Sequence, residues 1–240
     1  MNTQIGLERC LSFINCQLQP ATGHVPAYRD ISRRRAITIS RQAGSGAHAV
    51  AEKLLEYLQA QASPDECPWT VFDRNLVQKV LEDHHLPERL ARFMPEDRIG
   101  GVTDTMDELF GLHPPSSTLV HKTAETILHL AELGSVILIG RAANVITRKL
   151  DHVFHVRLIG SLQKRAAYLQ RLHHLSYKAA VDLADSEDLG RRRYLKRYFE
   201  HEVDDPSLYH LVINTDLVPY DEAARIIAEA VTPKTAAALK

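Results

Sequence analysis

Cysteine is scarce in this chain, tryptophan occurs once, and no apolar run is long. Each shortage removes a class of protein from consideration. Three cysteines, Cys10, Cys16 and Cys67, stand among 240 residues, an odd set without the CxxC spacing of zinc and redox motifs. Cys10 and Cys16 fall on different faces of a helix that holds both. The expectation is a reduced, cytoplasmic chain rather than a disulfide scaffold. The longest uninterrupted apolar stretch, around Val136 to Ile139, is far too short to span a bilayer. The first residues are polar and mixed, so no secretory leader and no membrane partner are expected. An excess of one charge is missing too. With 29 Lys and Arg against 30 Asp and Glu, the formal net charge is -1, which gives no global attraction to nucleic acid or anionic lipid. There are no repeats and no low-complexity tracts.

What is present suits one compact domain, 45% hydrophobic and 25% charged. Residues Ile5 to Leu18 read as an amphipathic helix with Leu7, Cys10, Leu11, Ile14 and Leu18 on one stripe. It can dock on the core or on a second copy in a homodimer, and both stay open. A connector holding Pro20, Gly23 and Pro26 runs to Arg35. Beyond it the pattern alternates. β-prone stretches are expected at 36–40, 70–72, 135–139, 152–159 and 211–214. Helices are expected at 47–62, 116–133, from Leu162 to Leu172 behind a Ser161 cap, and at 221–231 with Ala223, Ile226, Ile227 and Ala230 inward. Residues 74–115 read as short helices outside the sheet. Five strands interleaved with helices give a three-layer α/β fold around a parallel sheet. The divisions expected are 1–35 for the helix and connector, 36–235 for the α/β domain, and 236–240 for a tail.

The turn Gly44-Ser45-Gly46 sits where the first strand passes into a helix. Glycines there let successive N–H groups point at a phosphate, and the helix N-terminus adds partial positive charge. A full P-loop needs Lys after the last glycine and then Ser or Thr for magnesium. Ala47 and His48 hold those two places. Gly44, Gly46 and Ala49 also satisfy a relaxed dinucleotide-binding pattern, with Asp73 placed as a ribose-binding acid. A plain strand-to-helix turn explains the same glycines.

Neighbouring segments add to the loop. Ile39-Ser40-Arg41-Gln42-Ala43-Gly44-Ser45-Gly46 is followed by Ile139-Gly140-Arg141-Ala142-Ala143-Asn144-Val145-Ile146. Asp188, Arg191 and Tyr194 come next, then Asp205-Pro206, Tyr209 and Val212-Ile213-Asn214-Thr215. In order and spacing, and with the Phe13-Ile14-Asn15 helix before them, these resemble the cytidylate kinase-like family, a divergent branch of the nucleoside monophosphate kinases. The resemblance implies a P-loop NTPase-type fold with a five-stranded parallel sheet and a helical lid at about 185–205. It implies ATP and Mg2+ as cofactors, a donor triphosphate over the Gly loop, and an acceptor pocket near Asp73 and Arg141. The chain departs from orthodox cytidylate kinases, which carry a Lys at the place of Ala47 and an Asp at the place of Ala142.

Phosphoryl transfer needs positive charge around the moving group and exclusion of water. Arg41, beside the loop, can supply part of the charge lost with the missing Lys, whereas a neutral His48 cannot. Arg141 leaves the C-terminal end of a strand, where ligands of open α/β sheets bind, and is the expected clamp on the acceptor phosphate. Helical spacing aligns Asp188 with Arg191 and Arg192, so that the acid orients an Arg toward phosphate. The donor set is therefore Arg41, Gly44, Ser45, Gly46, Ala47 and His48. The catalytic set is Arg141, Asp188, Arg191 and Arg192, and Asp73 with Arg141 meets the acceptor. Glu125, His129 and Glu132 share a helix face, read as a solvated polar face rather than a metal site. No GxSxG elbow marks a hydrolase. The expected activity is transfer of phosphate from ATP to a nucleoside monophosphate such as CMP, without nucleic acid as a partner. A degenerate nucleotide sensor or scaffold lacking the P-loop Lys is the alternative, and a dinucleotide enzyme the third.

Overall fold

The computed structural model describes residues 3–18, 35–62, 67–75, 77, 105–106, 109 and 118–232. The connector, most of the segment expected to form short outer helices, and the tail lie outside the described residues.

The first helix, α1 (Thr3–Leu18), precedes a run of alternating strands and helices. These are β1 (Ala36–Arg41), α2 (Ala47–Gln61), β2 (Thr70–Phe72), α3 (Thr118–Leu133), β3 (Val136–Ile139), α4 (Ala143–Ile146) and β4 (Val153–Ile159). There follow α5 (Leu162–His173), α6 (Tyr177–Phe199), a 3-10 turn at Pro206–Leu208, β5 (Leu211–Asn214) and α7 (Tyr220–Val231). All strand pairs are parallel, in the order β2-β3-β1-β4-β5. Local chemistry sets the ends. Ser161 caps α5 by accepting the Lys164 amide at 3.4 Å, and Ser176 caps α6 by accepting that of Ala179 at 3.2 Å. His174 and Glu200 close the same two helices in the left-handed conformation.

The sheet carries a core on each face, because alternate strand residues point opposite ways. Ile37, Ile39, Ile137 and Ile139 meet Val50, Leu54 and Leu58 of α2 and Ala224 and Ile227 of α7. On the other face, Leu138 and Phe72 meet α3 through Ala124, Ile127 and Leu128, together with Phe13 of α1. Burying each of these large apolar side chains contributes roughly 1.5–3 kcal/mol. A third, smaller cluster joins Ala43 to Ala166, Leu169, Ala180 and Ala184, seating α5 and α6 beside the turn after β1.

The inward faces differ in places from the sequence expectation. On α1 the buried residues are Cys10, Phe13 and Ile14, while Leu11 is 39% exposed. The helix rotates so that Phe13 meets Phe72 edge-on, with ring centroids 5.7 Å apart. Docking on its own core is thus the arrangement observed for α1. On α5, Leu172 stands out in solvent, and on α7 Ala230 is exposed while Ala224 and Ala228 face inward. His129 and Glu132 of α3 are buried rather than solvated. The largest correction concerns cysteine. Cys16 of α1 and Cys67, just ahead of β2, form a disulfide with Cα atoms 5.8 Å apart, and Cys10 alone is free. Spacing gave no hint of it, since 51 residues separate the two. In the chain-entropy view a loop of that length is worth about 4 kcal/mol to the folded state.

One buried histidine ties the sheet's far half together. His155 of β4 is 4% exposed, its Nδ1 lies 2.9 Å from Thr38 Oγ1 of β1, and its amide donates to His210 Nδ1 at 2.9 Å. Burial, with the nearby His210 ring, pushes its pKa down to about 4. A lowered folded pKa means that the unfolded chain binds the proton more readily. This contribution is complete above pH 6.5 and is lost as pH falls toward 4. Unfolding by urea at pH 7.5, 6.0 and 5.0 is expected to show stability dropping by as much as about 1.4 kcal/mol per pH unit below 6.5 from this group. A His155→Asn chain should show a visibly shallower drop, and parallel curves would sink the assignment.

Candidate active site

Parallel register brings three arginines to one level. The last β1–β3 pair is Ile39 with Ile139, and the last β2–β3 pair is Phe72 with Leu138. Two residues further on, β1 ends at Arg41, β3 leads to Arg141 and β2 to Arg74. All three emerge at the carboxyl edge of neighbouring strands, where open α/β sheets bind their ligands. They line a pocket of about 400 Å³ together with Arg191, Glu187 and Tyr194 of α6.

The backbone after β3 is bent to make this possible. Gly140, Arg141 and Ala142 have φ of 79°, 56° and 60°, three successive residues in the left-handed region. The two that are not glycine each carry a cost of order 1–2 kcal/mol. Gly140 has a second effect, because a Cβ there would displace the Arg41 guanidinium. Arg41 therefore lies over a bare backbone, close to Arg141. Burial and then the charge of Arg191 lower the Arg41 pKa to about 10. Desolvation and then Arg74 lower that of Arg141. Both stay protonated at neutral pH, so like charges crowd one another, a condition that favours an anionic ligand. Arg191 is partly balanced, with Glu187 at 2.9 Å and Asp188 at 3.6 Å. Two buried donors in the pocket wall, Arg191 Nε and Asn144 Nδ2, have no partner.

The glycine loop stands next to this pocket. Gly44 and Gly46 have φ of 79° and 81°, and Gly46 caps α2 without any side-chain acceptor. The first-turn amides of Ala47, His48 and Ala49 have no intrahelical carbonyl to bond, as at any helix start. The loop is packed on its outer sides. The Arg165 carbonyl lies where a Gly44 Cβ would be, and the Tyr220 ring where a Gly46 Cβ would be. Ser45, 1% exposed, donates its hydroxyl to the Gln42 carbonyl at 2.9 Å. The His48 imidazole is held below its ordinary pKa, chiefly by desolvation, so at neutral pH it does not replace the charge of a P-loop lysine.

The remaining expected residues fall elsewhere. Asp188 lies 3.6 Å from the pocket-lining Arg191, as helical spacing expects, but its shorter contacts are with other groups. Its Oδ1 accepts the Ala43 amide at 2.7 Å, and its Oδ2 pairs with buried Arg165 at 2.8 Å. It fastens α6 to the glycine loop. Arg192 turns away to Asp204 at 3.1 Å, and Asp204 also holds the buried Arg157 of β4, which donates to Ser40 at 3.0 Å. The Asp73 carboxylate accepts the Asn75 amide at 2.9 Å and its charge acts on Arg41 and His48, while its neighbour Arg74 lines the pocket. Sequence reasoning missed Arg74, Arg157, Arg165 and Asn144. Arg157 carried a readable signal, a charge inside an apolar strand. The others depend on helix placement. Strand order removes the dinucleotide reading. β3 lies between β1 and β2, whereas the dinucleotide fold sets its first two strands side by side. Among the described residues no group of His, Cys, Asp and Glu could hold a metal ion, and no helix is long and apolar enough to cross a membrane.

Comparison with known proteins agrees with this geometry. The model of the cytidylate kinase-like family matches residues 36–217. The chain belongs to the cytidylate kinase-like family. That membership supports a kinase-like, nucleotide-binding function. A solved structure of an uncharacterized protein from Eubacterium ventriosum is 20% identical, covering 82% of this chain and 98% of its own, with a TM-score of 0.64. A Thermus thermophilus protein is 15% identical over 83% of this chain and 98% of its own, with a TM-score of 0.38. No curated protein matches the chain. The first of these likenesses is one of fold, and α1 lies ahead of the family match, while its disulfide partner Cys67 lies within it.

The Gly140 contact gives a direct test. Gly140→Ala adds a side chain in a left-handed position and displaces Arg41, and should cost about 2 kcal/mol in chemical denaturation. Asp188→Ala strips the partner from buried Arg165 and should cost more, about 3 kcal/mol. Equal, near-zero losses in both chains would contradict the packing described.

Proposed function

We propose that the chain transfers a phosphoryl group from ATP, with magnesium, to a nucleoside monophosphate such as CMP. The observation that carries this reading is the convergence of Arg41, Arg74, Arg141 and Arg191 on one pocket beside a glycine loop. Four guanidiniums suit a phosphate dianion, which each can bind through paired N–H donors. The acceptor phosphate sits among Arg41, Arg141 and Arg74, and Tyr194 offers an apolar wall for the rest of the acceptor. The free amides at the start of α2 suit the donor's phosphates.

The residues present fit the triphosphate better than the metal. The only hydroxyl in the glycine turn, that of Ser45, is turned to the Gln42 carbonyl, so magnesium would enter with the donor's phosphates and keep its waters. When bound, it would offset charge on the transferring group. The chain's own task is then to hold two anions close together and exclude water. Arg41 stands between the loop and the pocket and serves both. Arg191, on α6, approaches the same space and draws the helix over the reactants.

A second reading is favoured by one observation. Ala47 is 7% exposed at the start of α2, where a lysine would bring charge to the donor, and no described cation takes its place on that turn. A chain that binds nucleotides without turning them over fits this equally, as a sensor or scaffold.

Thermal-shift titration with MgATP, CMP and both together separates the two. A ligand at a hundredfold excess over Kd adds about 2.7 kcal/mol of apparent stability. Stabilisation by both ligands, with ADP formed in the mixture, is the expected result. Stabilisation without ADP moves the sensor reading to first place. Arg141→Ala should weaken CMP at least tenfold and leave the MgATP response within twofold. An unchanged CMP dependence would refute the clamp.

A further inference from the structure

We propose that Cys16 and Cys67 form a reversible thiol–disulfide site that fastens α1 to the lead-in of β2 and, through that strand, holds Arg74 at the arginine pocket. The part that concerns Arg74 rests on the acceptor reading above, whereas the clasp itself does not.

The two sulfurs differ in access. Cys16 is partly exposed near the end of α1, and Cys67 is 3% exposed. An incoming small-molecule thiolate therefore attacks Cys16 Sγ. The protein S–S bond breaks, a mixed disulfide forms on Cys16, and Cys67 leaves as a thiolate that takes up a proton. A second small thiol then attacks the mixed disulfide, releasing the small-molecule disulfide and the Cys16 thiol. Two small thiols are oxidised, and the protein pair gains two electrons and two protons. The reverse uses a low-molecular-weight disulfide as oxidant. The third cysteine stays out of the exchange. Cys10 is fully buried in the core, and burial pushes its pKa up to about 12, so it remains a thiol. The site therefore has two states and no alternative pairing.

What the clasp controls follows from the chain path. Apart from the disulfide, α1 is joined to β1 only through residues 19–35. From Cys67 the chain runs through Trp69 into β2, whose last residue, Phe72, takes the edge of Phe13. Arg74 follows two residues later and lines the arginine pocket. Arg9 and Ser12 of α1 also face Trp69 and Thr70 across a groove of about 850 Å³ bounded by α2. Releasing the cross-link frees α1, opens that groove on one side and takes Phe13 off the end of β2. Trp69 is the chain's one tryptophan, so its emission reports this change without any nucleotide.

The test compares the oxidised full chain with the chain reduced by dithiothreitol, and with a Cys16→Ser chain. Thiols titrated after denaturation are expected to rise from one to three on reduction, and graded mixtures of reduced and oxidised glutathione should move the count reversibly. Trp69 emission should shift with it, and amide exchange should speed at least tenfold in residues 8–16 and at least threefold in residues 70–75. The CMP dissociation constant should rise at least threefold on reduction, and Cys16→Ser should match the reduced chain and ignore dithiothreitol. Unchanged Trp69 emission and α1 exchange between the two forms overturn the clasp. A loosened α1 with unaltered exchange in residues 70–75 overturns the link to Arg74. Failure of CMP to bind either form counts against the acceptor reading alone, because thiol count, emission and exchange still decide the clasp and its reach.

Discussion

The pairing of β1 with β3 is the constraint on which the site depends. Parallel register sets Ile39 against Ile139, and that one match decides that Arg41 and Arg141 leave the sheet at the same height. A one-residue slip of either strand would turn its arginine to the opposite face from the other. The run of left-handed residues after β3 then stops the chain from moving on as a strand and aims Arg141 back over the edge. Gly140 leaves the gap into which Arg41 fits. Stability is spent there in backbone strain and in crowding of like charges, and the two opposed isoleucine-rich strands, buried on both faces, supply it.

Around this edge the fold builds a frame of ion pairs between residues outside the lining of the arginine pocket. Arg165 and Asp188 lock α5 and α6 to the turn after β1. Asp204 joins Arg192 of α6 to Arg157 of β4, and Arg157 reaches Ser40. The ring of Tyr209 lies under the Arg157 guanidinium at 5.6 Å, and its hydroxyl donates to the Val203 carbonyl. The basic run Arg191-Arg192-Arg193 is thus divided by helix geometry. Arg191 faces the pocket, Arg192 faces the frame, and Arg193 belongs to neither.

Strands and most helices were legible in the sequence because their apolar periods are plain. Residues 211–214 and 70–72 were bounded correctly from β-branched composition alone, and the Ser161 cap was read from its hydroxyl ahead of a helical pattern. Arg41 and Arg141 were found because each adjoins a glycine turn at a strand end. Spacing along α6 shows the pairing of Asp188 with Arg191, but it says nothing about what lies across from the helix, so the turn of Arg192 to Asp204 and the second partner set of Asp188 were hidden. Asp188 meets a backbone amide 145 residues away. Arg74 was hidden behind Asp73, where the chemistry of an acid drew attention from its neighbour. The disulfide was illegible because sequence separation carries no information on proximity, and α1 turned out to lie against β2.

The anchoring of α6 has a mechanical side. At about 1.5 Å per residue its 23 residues make a rod of about 34 Å, which begins at the Ser176 cap; distances along it are counted from that end. Asp188 lies twelve residues along and Arg191 fifteen. A tilt of about 10° would carry them roughly 3 Å and 4 Å, by the same rise per residue. Such a swing breaks the Ala43 contact and withdraws Arg191 from the pocket in a single movement. The glycine loop and the arginine pocket are therefore released together or kept together, by leverage along one helix.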